Sequence, residues 1–277
     1  MSRRWGRIIA AAFAVGLLAP ALAGAQLTEP KDKQCRLKTA EAARGHALFL
    51  TKRVGYCHQQ RLRGRIPAAV DCNDPSTWAA NGFQRGVDLE NKALVRLAKR
   101  VATCKATRPL ADLGYGACPA PCGAITITDI DSLTACVRCK VEDCTLGAVA
   151  NVFGTPDLAQ ERPAKKCQER AGRHLTLYLK NRGFFQNVCE YARSVERRGF
   201  ETADCIDTED SSHPFFTRLS RFKAKQDNVL LRRCGDVDVA GELTSCAGDA
   251  AGLVACVAAE VQACTDEFFA LAFPPVP

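Results

Sequence analysis

The sequence contains no Gly-x-Ser-x-Gly, no His-Glu-x-x-His and no phosphate-loop pattern. No nucleophile elbow, zinc-protease helix or nucleotide cradle is therefore recognisable. Histidine is scarce: His46, His58, His174 and His213 are the whole set, and none stands at metal-ligand spacing from another. We read all four as surface residues. Strand signal is thin, with only Ile125-Thr126-Ile127-Thr128 suggesting an extended segment. The one acidic cluster, Asp207-Thr208-Glu209-Asp210, reads as a helix-capping loop rather than as paired catalytic carboxylates. After residue 25 no stretch is long and apolar enough to span a bilayer, which needs about 20 apolar residues. These absences leave no catalytic constellation, and we expect no enzyme activity and no cofactor.

What is present begins with charge. The formal net charge is +8, but it is uneven. Residues 26–160 hold 19 Lys/Arg against 13 Asp/Glu, a net +6, whereas residues 161–277 hold 16 against 17, a net −1. That bias lacks the clustered cations of a nucleic-acid footprint, so no nucleic-acid partner is expected. The runs Arg61-Leu62-Arg63-Gly64-Arg65 and Glu196-Arg197-Arg198 fit helix C-termini, where cations complement the dipole. An anionic envelope surface is the weaker reading of them.

The N-terminus has the layout of a signal peptide over residues 1–25. Arg3, Arg4 and Arg7 precede an apolar run over residues 8–23, and Ala21-Leu22-Ala23 and Ala23-Gly24-Ala25 offer small-residue cleavage sites. A periplasmic or extracellular destination follows. It gives the sixteen cysteines, all beyond residue 25, an oxidising setting in which they pair.

The cysteines also mark an internal repeat. Cys35 to Cys57 is 22 residues, and so is Cys167 to Cys189. Residues 129–153 align without gaps on residues 249–273 and agree at ten of 25 positions, where chance gives about one or two. We expect an all-α protein of two tandem disulfide-stapled units, each a helical hairpin plus a third helix. The boundaries are 33–153 for unit 1, 154–164 for a linker containing Pro156 and Pro163, and 165–277 for unit 2. Helical spacing of Leu50, Val54 and Cys57, and of Leu175, Tyr178 and Cys189, marks the first helix of each hairpin.

An antiparallel hairpin brings the start of its first helix beside the end of its second. That juxtaposes Cys35 with Cys104 and Cys167 with Cys234. It sets Cys57 beside Cys72, and Cys189 beside Cys205. A Cys35–Cys57 link is excluded, because 22 helical residues span about 33 Å and a disulfide needs Cα atoms within about 7 Å. In the third helix Cys136 aligns with Cys256 and Cys144 with Cys264, so Cys246 is expected to pair with Cys256. Cys118 and Cys122 face Cys136 and Cys139 in an order left open. Cys144 and Cys264, the odd residue of each unit, are expected to join the units, with two buried free thiols as the alternative.

Cys118, Cys122, Cys136 and Cys139 also have the spacing of a four-thiolate zinc knuckle. Cys136-Val137-Arg138-Cys139 has redox-pair spacing, but no strand–helix–strand pattern surrounds it. Lys140 stands where covalent haem attachment wants a histidine.

Lys-x-Cys at the head of a long helix, followed later by Leu133-Thr134-Ala135-Cys136-Val137-Arg138-Cys139, resembles a loose group of cysteine-rich exported bacterial repeat proteins. Unit 2 departs from it with Ala259 in the second cysteine place. The resemblance implies no activity. The reading is a non-enzymatic binding or structural protein outside the cytoplasm, using a groove between the units or the basic face of unit 1. The alternative is a metal-binding or redox protein built on Cys118, Cys122, Cys136 and Cys139.

Overall fold

The computed structural model describes residues 27, 29–154, 161–239, 246 and 248–275. The segment read as a signal peptide and most of the stretch read as a linker lie outside them. Six long α-helices organise the described residues. They are α1 (Pro30–Leu62), α2 (Gln84–Val101), α3 (Ile130–Phe153), α4 (Arg162–Ser194), α5 (Phe216–Cys234) and α6 (Ala250–Ala272). The last three match the first three closely in length: 33 and 33, 18 and 19, 24 and 23 residues. No strand forms among the described residues, and the segment read as extended makes one isolated bridge, Ala117 to Thr126.

Helix starts follow local chemistry. α1 and α4 each carry proline in the first turn, where its missing N–H is one the helix leaves unbonded anyway. α4 therefore begins at Arg162, inside the stretch assigned to the linker, and α1 begins at Pro30, ahead of Lys33. Asp129 caps α3 by accepting from the Ser132 N–H at 2.8 Å, and Asp249 caps α6 by accepting from Gly252 at 2.7 Å.

Eight disulfides use all sixteen cysteines. Cys35–Cys104 and Cys167–Cys234 close the two hairpins, and Cys57–Cys72 and Cys189–Cys205 tie each connecting loop to the end of its first helix. By chain entropy the short loops are worth about 3 kcal/mol each and the long ones about 4. Cys118–Cys136 matches Cys246–Cys256, which leaves Cys122–Cys139 as the couple present in the first half alone. Cys144–Cys264 joins α3 to α6 with Cα atoms 5.5 Å apart.

One apolar core runs through both halves. α1 and α4 form its centre and make the most extensive helix–helix contact among the described residues. Arg44 of α1 packs along Gly183 and over the Phe184 ring of α4. The Phe153 ring, at the end of α3, stacks on His58 at 4.7 Å and lies so close to Gly172 that a Cβ there would meet it. Side chains thus fill the α1–α4 seam at Gly172 and Gly183.

The two halves also close each other's helix ends. Gln168 donates to the Phe153 carbonyl at the end of α3, and Arg36, at the matching place in the first half, donates to the Pro274 carbonyl beyond α6. The Phe153 carbonyl is one that a helix end leaves without an internal donor, whereas Pro274 lies two residues past the end of α6. Together with a disulfide between matching cysteines, these exchanges have the reciprocity of a two-fold interface.

Candidate functional site

The sequence motif with most chemical promise is consumed by structure. Cys118 pairs with Cys136 and Cys122 with Cys139, at Cα separations of 5.7 and 6.1 Å. A zinc knuckle needs four thiolates, and these sulfurs hold no charge. Cys136 and Cys139 face different partners, so they do not form the mutual bridge of a redox pair. Lys140 is buried, donates to the Ala120 carbonyl and pairs with Glu267 of the other half at 2.8 Å.

The histidines correct the sequence reading. All four are buried, none more than 4% exposed. Each finds a polar neighbour that makes burial tolerable. His46 Nε2 lies 3.4 Å from Glu142, His58 Nε2 lies 2.9 Å from Asn73 Oδ1, and His213 Nδ1 accepts from the Phe215 N–H. His174 Nε2 stands 3.0 Å from Asp227 Oδ1, close enough for an ion pair but out of line for a hydrogen bond.

His174 lies behind a pocket of about 270 Å³ between α4, α5 and the segment joining them. Tyr178, Thr208 and Glu209 form one wall; Phe216, Leu219, Ser220, Lys223, Ala224 and Asp227 of α5 form the other. Tyr178 donates its hydroxyl to Glu209 Oε1 at 2.6 Å. Lys223 pairs with Asp227 Oδ2 at 3.1 Å, and its ammonium lies 6.0 Å from the centre of the Tyr178 ring. Burial and the Glu209 carboxylate push the Tyr178 hydroxyl well above its ordinary range. Burial also pushes Asp227 upward, but His174 and Lys223 outweigh it and hold the carboxyl below its usual value. At neutral pH the site therefore presents a protonated Tyr178 phenol and an ionised Asp227 carboxylate beside the apolar Phe216, Leu219 and Ala224. Thr208 adds a buried hydroxyl with no hydrogen-bond partner among the described residues.

A second polar cluster supports the wall. Arg182, fully buried on α4, donates to Thr265 and Asp266 of α6 and to the Ile206 carbonyl. Gln186 Nε2 donates to the same Ile206 carbonyl at 3.0 Å and to Asp266 Oδ1 at 2.7 Å. Two side chains of α4, held in turn by Asp266 of α6, thus grip the chain immediately before Thr208 and Glu209, next to the Cys189–Cys205 bridge. The acidic cluster works locally and not as a helix cap. Asp207 Oδ1 accepts from the Glu209 and Asp210 N–H groups, while α5 starts after Phe215 with no side-chain cap.

Sequence reasoning missed this site, although the aligned halves carry a signal for it. Counting from the hairpin cysteines, His174 falls where the first half has Ala42, Asp227 where it has Leu97, and Lys223 where it has Ala93. Arg182, Gln186 and Asp266 replace Leu50, Val54 and Leu146 in the same way. Ala42, Leu97 and Ala93 are ordinary buried residues between α1 and α2 or beside them. Among the described residues no group of three or more His, Cys, Asp or Glu side chains is placed to hold a metal ion. Set against protein-family models, curated proteins and solved structures, the chain matches none.

Proposed function

We propose that this disulfide-rich helical protein is exported and acts by binding, without catalysis, through the α4–α5 pocket. The observation that carries the reading is the replacement of Ala42, Leu97 and Ala93 by His174, Asp227 and Lys223. Burying ionisable groups where the same scaffold manages with apolar ones costs stability unless the groups serve a purpose. The volume suits a small ligand, at the low end of ordinary pockets. The ionisation states favour recognition over acid–base chemistry, because a general acid or base works best with a pKa near the working pH, and Tyr178 and Asp227 are both moved away from it. Export is supported by the signal-like N-terminus and by eight disulfides, which persist in oxidising compartments.

The test pairs the wild type with His174→Ala/Lys223→Ala/Asp227→Leu, which installs the first-half residues. Both are heated with a panel of small alkylammonium, carboxylate and polyol compounds. At least one compound is expected to raise the wild-type Tm and leave the folded variant unmoved. Equal shifts in both proteins, or none in either, would overturn the pocket as the binding site. Non-reducing mass of the chain recovered from the periplasm or medium, with no thiol open to alkylation, checks the export part separately.

A further inference from the structure

α5 carries a second feature on the side away from the pocket. Arg218, Arg221, Lys225 and Arg232 are all exposed. Steps of three, four and seven residues align them on one face, with exposed Asn228 filling the remaining place. The line spans 14 residues, about 21 Å of helix. The one acidic residue of α5 is Asp227, turned inward to His174 and Lys223. None of the four cations joins an ion pair among the described residues; Arg232 Nε donates only to the Asn228 carbonyl of its own helix. Arg233 flanks the line, and after burial the charges of Arg173 and Arg233 are what lower the Arg170 pKa, so three more cations share one electrostatic neighbourhood.

A merely solvated face explains part of this. Arg232 and Arg233 sit at the C-terminal end of α5, where cations complement the dipole. Arg218 and Arg221 sit in the first turns, where cations oppose it, and like charges three or four residues apart repel. General basicity does not explain the line either, since residues 161–277 carry a net −1. The sorting of charge is specific to this helix. Along and just past α2 the positions that match Arg218, Arg221, Lys225 and Arg232 are Asp88, Asn91, Val95 and Ala102, none of them cationic.

We propose that the outer face of α5 binds a linear anionic polysaccharide laid along the helix. Guanidinium groups match sulfate, phosphate and carboxylate oxygens bidentately, and a row of charges on one ridge fits a chain better than a plane. A bilayer is the poorer fit, because the exposed large apolar residues are Val95, Phe184, Tyr191, Val195 and Ile206, none of them on α5. The inference stands apart from the pocket, which uses the opposite face of the helix.

The experiment measures binding of the full oxidised chain to heparin as the polyanion probe, at several salt concentrations. Arg218→Gln/Arg221→Gln/Lys225→Gln/Arg232→Gln is compared with Lys92→Gln/Arg96→Gln/Lys99→Gln/Lys105→Gln, which removes the same charge from the first half. Glutamine keeps helix propensity, and circular dichroism checks that both fold. The α5 variant is expected to lose at least about ten-fold in affinity and about three counterions from the salt slope, with the first-half variant close to wild type. Equal losses in the two variants would reduce the effect to net charge and overturn the proposal. So would a wild type that fails to bind at 0.15 M salt, or that binds duplex DNA or phosphatidylserine vesicles as tightly as heparin.

Discussion

Where the first half places Ala42, Ala93, Leu50 and Leu146, the second places His174, Lys223, Arg182 and Asp266. Around these positions the helices keep their lengths and the hairpins keep their bridges: Cys35–Cys104 answers Cys167–Cys234, and Cys57–Cys72 answers Cys189–Cys205. One scaffold therefore accepts an apolar and a polar interior at matching places. Covalent closure makes this tolerable. Bridges that remove unfolded-state entropy by several kcal/mol each leave room for buried charge that a core of this size otherwise bears poorly.

The comparison breaks most sharply at Arg182. Arg182→Leu removes the donor to Thr265 and the cationic partner of Asp266, and leaves Asp266 and the Ile206 carbonyl with Gln186 alone, a loss of about 3–5 kcal/mol. Because the Asp266 side chain is 30% exposed, water will re-pair it in part and the loss should fall near the lower bound. Adding Gln186→Val and Asp266→Leu, the residues of the first half, should recover most of it, since an apolar replacement of a whole buried ion pair is often neutral or better. Urea unfolding midpoints give both numbers. If the triple variant is no more stable than the single, the halves are not interchangeable in the sense argued above.

Acid separates the halves in opposite directions, at matching positions. His58 is pushed down to about 4, first by burial and then by Arg61, against the pull of Asn73. The unfolded chain binds this proton near pH 6.5 and the folded chain does not, so stability falls as pH drops from about 6.5 to about 4, by up to about 3 kcal/mol. His58→Gln should flatten that slope in a pH series of Tm values; an unchanged slope would assign the effect elsewhere. Glu190 holds the corresponding place in the second half and is raised, by burial outweighing Arg193. There the folded state binds the proton more tightly, so acidification restores stability that is lost as pH rises above the ordinary carboxylate range. Glu190→Gln should stabilise the protein at neutral pH. This is the smallest effect, because Arg193 stays 2.6 Å away as a partner.

How far the sequence speaks depends on how local the determining physics is. Cysteine spacing is legible because disulfide geometry is narrow and a helix has a fixed rise, so few pairings survive. Asp129 and Asp249 are legible as matched residues because a cap acts within three positions. The burial of α1 and α4 on several sides is not, since helices that pack against four neighbours lose the single apolar stripe that periodicity detects. The histidines failed for a related reason. A polar side chain is buried when a distant partner receives it, and His46 meets Glu142 across 96 residues. The pocket needed a third kind of reading, in which one half serves as the reference for the other.

Cys144 and Cys264 have a consequence for the peptide bonds between the halves. Their bridge spans 120 residues of chain, from the middle of α3 to the middle of α6. Every other disulfide lies within its own half, so this bond is the one covalent tie between them besides the backbone itself. The backbone between residues 154 and 161 is then redundant as a tether. A protease that cuts there produces two polypeptides but still one molecule, with the α1–α4 seam closed and the pocket walls in place. Separation has to wait for a reductant.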